Sequence, residues 1–200
     1  MSYVRVTAIA LGCCFLVASC LTTETRKREE ITALPGAVIY AEGESSAAGG
    51  YRDAVRLLEE RKFEEAEILY RELIELEPEN PQGHIGLGSS LLYQNQLGGA
   101  EKAYLHALDL FPRSIGAMIG LGSVRYLEGE YEEAEEYYSR ALGIEEGTAD
   151  AHWGRALVLE QQGENEGAIY HFGRFLELAP DSNLADDAAL RIEALKGREV

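Results

Sequence analysis

From about residue 47 onward, apolar side chains recur at three- and four-residue spacing in segments of helical length. Pairs of these segments are joined by short polar turns such as EGEYEE (128–133). That spacing places the apolar positions on one face of an α-helix, so the pattern predicts an all-α chain of helical hairpins. The last stretch, DSNLADDAALRIEALKG (181–197), has Leu184, Ala188, Ile192 and Leu195 at helical spacing, with Asp186, Asp187, Arg191 and Glu193 elsewhere on the helix. It reads as a closing helix with one apolar and one polar side. The N-terminus has a different pattern. Arg5 is its one charge, and Val6 to Ser19 are fourteen uncharged, mostly small or apolar residues, too few to span a bilayer comfortably as a helix.

The hairpins repeat. EEAEILYRELIELEP (64–78), GGAEKAYLHALDLFP (98–112), EEAEEYYSRALGIEE (132–146) and EGAIYHFGRFLELAP (166–180) align in steps of 34 residues. Alanine recurs as Ala66, Ala100, Ala134 and Ala168, and four residues later an aromatic recurs as Tyr70, Tyr104, Tyr138 and Phe172. Pro78, Pro112 and Pro180 close their units, with Glu146 as the exception. Twelve residues before each alanine stands a small residue: Ala54, Gly88, Gly122 and Ala156. The small pairs suit close packing of two helices, the aromatic fills the space toward the next unit, and the proline ends the second helix. Acidic residues such as Glu64, Glu65, Glu132 and Glu133 open the second helices, where the helix dipole favours them, so they read as structural.

This pattern resembles the tetratricopeptide repeat, a 34-residue helix–turn–helix unit with the same small, aromatic and proline places. The resemblance implies an all-α, right-handed superhelical repeat array of about four repeats, at 47–80, 81–114, 115–148 and 149–182, plus a C-terminal capping helix at 183–197. Two departures are expected to loosen it locally. Glu146 stands for proline in the junction GIEEGTADA (143–151), and Arg125 stands where Leu57, Leu91 and Leu159 stand in the other units.

The N-terminal pattern is that of a signal peptide, a basic start followed by a short apolar run and small residues. Val17-Ala18-Ser19-Cys20 is similar to the bacterial lipobox. That resemblance implies cleavage after residue 19 and acylation of Cys20; a tether over 20–46 follows and runs into GESSAAGG (43–50), of flexible-linker composition. Two or more acyl chains anchor durably where one binds reversibly. Leu21 follows the cysteine where some bacteria place a retention aspartate; under that sorting rule the exported lipoprotein goes to the outer membrane facing the periplasm, with the cell surface and the outer face of the cytoplasmic membrane as alternatives.

Charge and cysteine count narrow the function. The formal net charge of −17 offers phosphate no basic face, so nucleic acid is a poor partner. Cys13, Cys14 and Cys20 are the three cysteines, all ahead of the repeats, so the folded part has no disulfide or thiolate site. His84 and His152 occupy equivalent repeat positions and reflect repetition rather than a metal site. No HExxH, P-loop or nucleophile-elbow motif occurs. The chain reads as a non-enzyme with no cofactor and no metal.

In the family the first helices of successive units line a concave groove that holds a partner segment. The corresponding places here are Tyr51, Ile85, Ile119 and Trp153, then Gly86, Gly120 and Gly154, then Ser89, Ser123 and Leu157, with Leu92, Tyr93 and Tyr126 near the helix ends. The expected groove is apolar and aromatic, and its glycine lane is expected to admit a partner backbone closely. Tyr93, Tyr126 and Trp153 are the expected anchors. The basic and asparagine residues of a carboxylate clamp are missing from these places, so an amphipathic helix or extended apolar segment of an envelope protein is the expected partner. A transporter accessory holding a small apolar ligand and a surface-exposed lipoprotein are the alternative readings.

Overall fold

A computed structural model of the chain describes residues 46–197, and the signal peptide, lipobox and most of the tether lie outside those residues. The described residues fold as nine helices: α1 (Ser46–Glu59), α2 (Phe63–Leu76), α3 (Pro81–Tyr93), α4 (Leu97–Leu110), α5 (Ile115–Glu128), α6 (Tyr131–Ile144), α7 (Ala149–Gln162), α8 (Asn165–Leu178) and α9 (Ala185–Lys196). From Gly50 onward they belong to one compact unit. Consecutive helices pack against one another from α2 to α9, and α3 also touches α5 while α5 touches α7. No such next-but-one contact joins α4 to α6 or α6 to α8 among the described residues. The first helices of successive hairpins are therefore on the inner side of the stack.

Each hairpin turns in the same way. The N–H groups of Lys62, Gln96, Glu130 and Glu164 donate to the carbonyls of Leu57, Leu91, Arg125 and Leu159, five residues back. One residue in each turn is left-handed: Arg61 and Asn95, then Gly129 and Gly163 at φ 82° and 79°. This is the αL closure of a helix C-terminus, for which glycine is the least strained choice. The start of α3 is fixed by Asn80, whose side chain accepts from the Gln82 N–H at 3.0 Å, with Pro81 in the first turn. Ser114 caps α5 in the same way through the Ala117 N–H.

The core is a column of rings held between small residues. Ala66, Ala100, Ala134 and Ala168 are fully buried, as are Ala54 and Ala156, and Tyr70, Tyr104, Tyr138 and Phe172 lie buried beside them. Tyr104 shows the arrangement. A Cβ added at Gly88, in its own unit, would stand 2.7 Å from the ring, and one added at Gly120, in the next unit, would overlap it. Tyr138 sits likewise between Gly122 and Gly154, and Tyr70 presses on Gly86. Ser89 Oγ donates to the Ile85 carbonyl, so the Tyr104 hydroxyl donates to Ser89 Oγ at 3.1 Å. Tyr138, Ser123 and Ile119 repeat the chain of bonds. Burial pushes the phenol pKa values up, to about 12 for Tyr70 and Tyr138. In the last step the ring has no hydroxyl, and Phe172 packs in one cluster with Ala156 and Ala188 of α9.

A second series of contacts links neighbouring units. Glu67, Glu101 and Glu135 recur at 34-residue steps on the second helices, and each reaches the first helix of the next unit. Gln94 donates to Glu67 at 2.8 Å, Arg125 pairs with Glu101, and Arg155 donates to Glu135 at 3.0 Å. In the fourth unit Ile169 takes this place and packs into the terminal cluster.

Both expected weak points prove to be tied down. Arg125 also meets Glu128, Glu130 and Glu133 at 2.6, 3.2 and 3.0 Å, so a guanidinium replaces the leucine with a polar joint. At the third junction the Nε2 of His152 meets the Glu146 carbonyl at 2.9 Å and Thr148 Oγ donates to the Glu145 carbonyl at 2.9 Å. These bonds fix the step that proline fixes in the other units. In α9, Ala188 and Leu195 are buried and Ile192 partly so, while Leu184 is exposed at the helix start.

Three outcomes follow from this packing. Gly120→Ala gains about 1 kcal/mol of helix propensity but forces a methyl group into the Tyr104 ring, which costs about 1–3 kcal/mol or more; it lowers stability in urea unfolding. Gly173→Ala, in α8 with nothing within 4 Å of the added Cβ, raises stability by roughly 0.5–1 kcal/mol. A Gly120→Ala protein at least as stable as wild type contradicts the ring clamp. Arg125→Leu leaves four carboxylates without their shared cation and destabilises by about 1–3 kcal/mol at low salt, less at high salt because screening relieves the repulsion. A variant more stable than wild type in low-salt thermal melts refutes this account of the joint.

Candidate functional site

The inner side is built from the first helices, as their next-but-one contacts require. Most of the residues expected to line a groove there are engaged within the stack. Gly86, Gly120 and Gly154 are buried, and the rings of Tyr70, Tyr104 and Tyr138 already occupy the space beside them. The glycine lane therefore accommodates the chain's own aromatics and does not present itself to a partner backbone. The physical reason is the one that selected glycine: the ring from the preceding unit approaches closer than any side chain allows. Ser89 and Ser123 accept from those tyrosines, so their hydroxyls are also engaged.

The large apolar members of the set divide in two. Ile85 packs on Gly116 of the next unit, and the part-buried Tyr51 reaches Gly83 of α3. Ile119 joins the clusters around Met118 and Val158, and Leu157 joins the terminal cluster. Trp153 lies between Phe172 and Phe175, with ring centroids 5.4 and 5.1 Å away. Above it the Arg191 guanidinium lies 5.9 Å from its ring and donates to Glu160 at 2.6 Å and Asp187 at 2.9 Å. Trp153 is thus an anchor for α9, packed within the array. Tyr126 is half-buried against Tyr131, at 5.8 Å between ring centroids.

What remains open lies toward the C-terminal ends of the first helices. Tyr93 is 61% exposed, Leu127 54% and Val55 48%, with Leu92 and Tyr126 partly exposed beside them. One face of Tyr93 stacks on Phe63 of α2, at 4.8 Å between ring centroids, which fixes the ring in place. Leu127 stands 34 residues after Tyr93, so the same repeat register that marked Tyr93 marks it too. At the far end the run passes into the charged trio of Glu160, Arg191 and Asp187. On the first helices the open apolar side chains are therefore confined to the first three hairpins; elsewhere Leu76, Phe111, Tyr170 and Leu190 are exposed as well.

Little else has the makings of chemistry. Among the described residues no three histidine, aspartate or glutamate side chains gather as metal ligands. His84 repeats the role of His152, its Nε2 meeting the Pro78 carbonyl at 3.2 Å. Both histidines brace the step between units.

These features agree with comparisons to known proteins. A tetratricopeptide repeat family model matches residues 51–115, 85–150 and 144–183. No curated protein matches the sequence. Among solved structures, a thermophilic TPR protein of Thermus thermophilus superposes with a TM-score of 0.67 at 20% identity, over 90% of this chain and 95% of that one. A MamA protein superposes with a TM-score of 0.54 at 20% identity, over 76% of this chain and 92% of its own. At these identities the likeness concerns the fold, while the family match extends over most of the chain, from Tyr51 to Asn183. The chain belongs to the tetratricopeptide repeat family.

Proposed function

We propose that this protein is a membrane-anchored adaptor: acylated Cys20 holds it at the envelope, and the inner side of its repeats binds an apolar segment of a partner protein. Tetratricopeptide repeats serve in general as protein-interaction scaffolds, and a stack of this kind suits recruitment better than catalysis. The observation that carries the reading is the set of exposed or partly exposed apolar side chains on three successive first helices: Val55, Leu92, Tyr93, Tyr126 and Leu127. Exposed apolar residues on successive helices are what an amphipathic helix or an extended segment requires of its receptor. The lipobox-like Val17-Ala18-Ser19-Cys20 supports the anchor, and export as an outer-membrane lipoprotein facing the periplasm completes the proposal.

The adaptor reading makes two separable predictions. Cys20→Ser moves the protein from the membrane fraction to the soluble fraction of lysed cells, and a variant that stays with the membranes refutes the lipid anchor. Separately, the double variant Tyr93→Ser/Leu127→Ser keeps the helical circular dichroism of wild type and weakens capture of the partner by about 30-fold or more, the effect of losing roughly 2 kcal/mol of central apolar contact. The measurement is in-cell crosslinking followed by affinity isolation. An unchanged set of crosslinked proteins removes these side chains from consideration as the binding surface.

A further inference from the structure

Two imidazoles are buried together inside the fourth hairpin. His152 on α7 and His171 on α8 bring their Nδ1 atoms to 2.8 Å. Both residues are nearly inaccessible, at 3% and 7% exposure. The outer contact settles who donates. The Glu146 carbonyl, 2.9 Å from His152 Nε2, can only accept, so Nε2 carries a hydrogen. A neutral His152 then has a bare Nδ1, and the hydrogen between the rings belongs to His171. One added proton leaves this N–H···N bond intact and only a second breaks it; the neutral state is the one with a single fixed pair of tautomers.

The surroundings hold the pair in that state. Arg155 lies on α7, held by Glu135 of α6 at 3.0 Å, and Arg174 lies on α8, paired with Glu177. Tyr170 stands edge-on to His171 at 5.0 Å between centroids. Glu146, in the connection before α7, is the acidic group that favours charge on His152. Burial first, then Arg155 and the other ring, lower the His171 pKa from 6.5 to about 4, and burial also lowers that of His152. A first proton charges a ring in a dry site beside guanidinium groups. A second sets two N–H donors face to face across 2.8 Å.

We propose that the His152–His171 pair is an acid-operated latch: protonation, of one ring against its burial and of both against the N–H···N contact, opens α7 and α8, together with the capping helix α9, while the histidine-free third hairpin stays closed. Terminal units of a repeat array have a neighbour on one side only, so they open before internal ones. The sign follows from the lowered pKa. The latch contributes its full stability above about pH 6.5 and loses it as the pH falls toward 4. For His171 alone, the closing equilibrium weakens roughly ten-fold between about pH 7.5 and 5.5 if the opened ring titrates normally. The second hairpin has a weaker version of the pair: burial also lowers the His84 pKa, but His84 faces an exposed His106 at 4.2 Å between ring centroids, so charge there meets water more readily. The latch does not depend on the adaptor reading.

The test is hydrogen–deuterium exchange on the full chain between about pH 7.5 and 5.5, a range in which ordinary carboxylates stay charged, with rates expressed as protection factors. Peptides from 149–196 are expected to lose about ten-fold of protection, while those from the histidine-free stretch 115–143 keep theirs. His171→Leu is expected to remove most of the pH dependence of the fourth hairpin over the same range, and His152→Leu/His171→Leu all of it. Uniform loss along the array, no loss at all, or undiminished pH dependence in the double variant would each overturn the latch. If those variants do not fold, imidazole titration in the wild-type chain by NMR decides: both rings titrating well below about 6.5 supports it, and either ring titrating at about 6.5 in the closed state refutes it.

Discussion

The aromatic ring clamped between two small residues is the contact on which the rest of this array depends. Tyr104 and Tyr138 each lie between a glycine of their own hairpin and one of the next, and their hydroxyls donate to a serine on the first helix of their own hairpin. The ring therefore sets two spacings at once, helix to helix within a unit and unit to unit along the stack. Close packing makes both spacings stiff, because a single added methyl group has nowhere to go. The terminal step shows the same rule in a different chemistry. Phe172 has no hydroxyl to satisfy and packs with alanines, Ala156 and Ala188, in place of glycines.

Around this column the polar contacts set the order of the units more than they hold them together. The clasps made by Glu67, Glu101 and Glu135 each join one hairpin to the next, but partly exposed pairs of this kind contribute modestly. Arg125 is the densest of these joints, with one guanidinium among four carboxylates. It keeps a charged residue at a place where the other hairpins have leucine, and in doing so ties α5 to both α4 and α6. The fourth hairpin has Ile169 where its predecessors have glutamate, and two histidines meet in its interior. Its internal contacts are therefore the ones most open to change with pH.

The same clamp governs which surface is left for a partner. Glycines that look like an invitation to a ligand backbone are already filled by the rings of the preceding unit. Trp153 is partly covered by Arg191 of the closing helix. On the first helices the free apolar area moves to the C-terminal ends, where Tyr93 and Leu127 extend past the last buried turn.

The sequence by itself determined the class of the fold, the repeat register and the core. Alanines and aromatics at a 34-residue period leave one arrangement in which every apolar face is covered, because a single hairpin cannot bury its own. It also marked Pro78, Pro112 and Pro180 as the ends of their units, a local choice that proline makes within a few residues of chain. The tertiary structure alone decided what the inner-face residues touch. Gly86 and a true ligand contact have the same position in the repeat, and only the place of Tyr70 tells them apart. The partner of Glu101 is Arg125, 24 residues away, and that of His152 is His171, 19 residues away. Helical periodicity is a property of one helix at a time and carries no information about which side chain of a neighbouring helix arrives first.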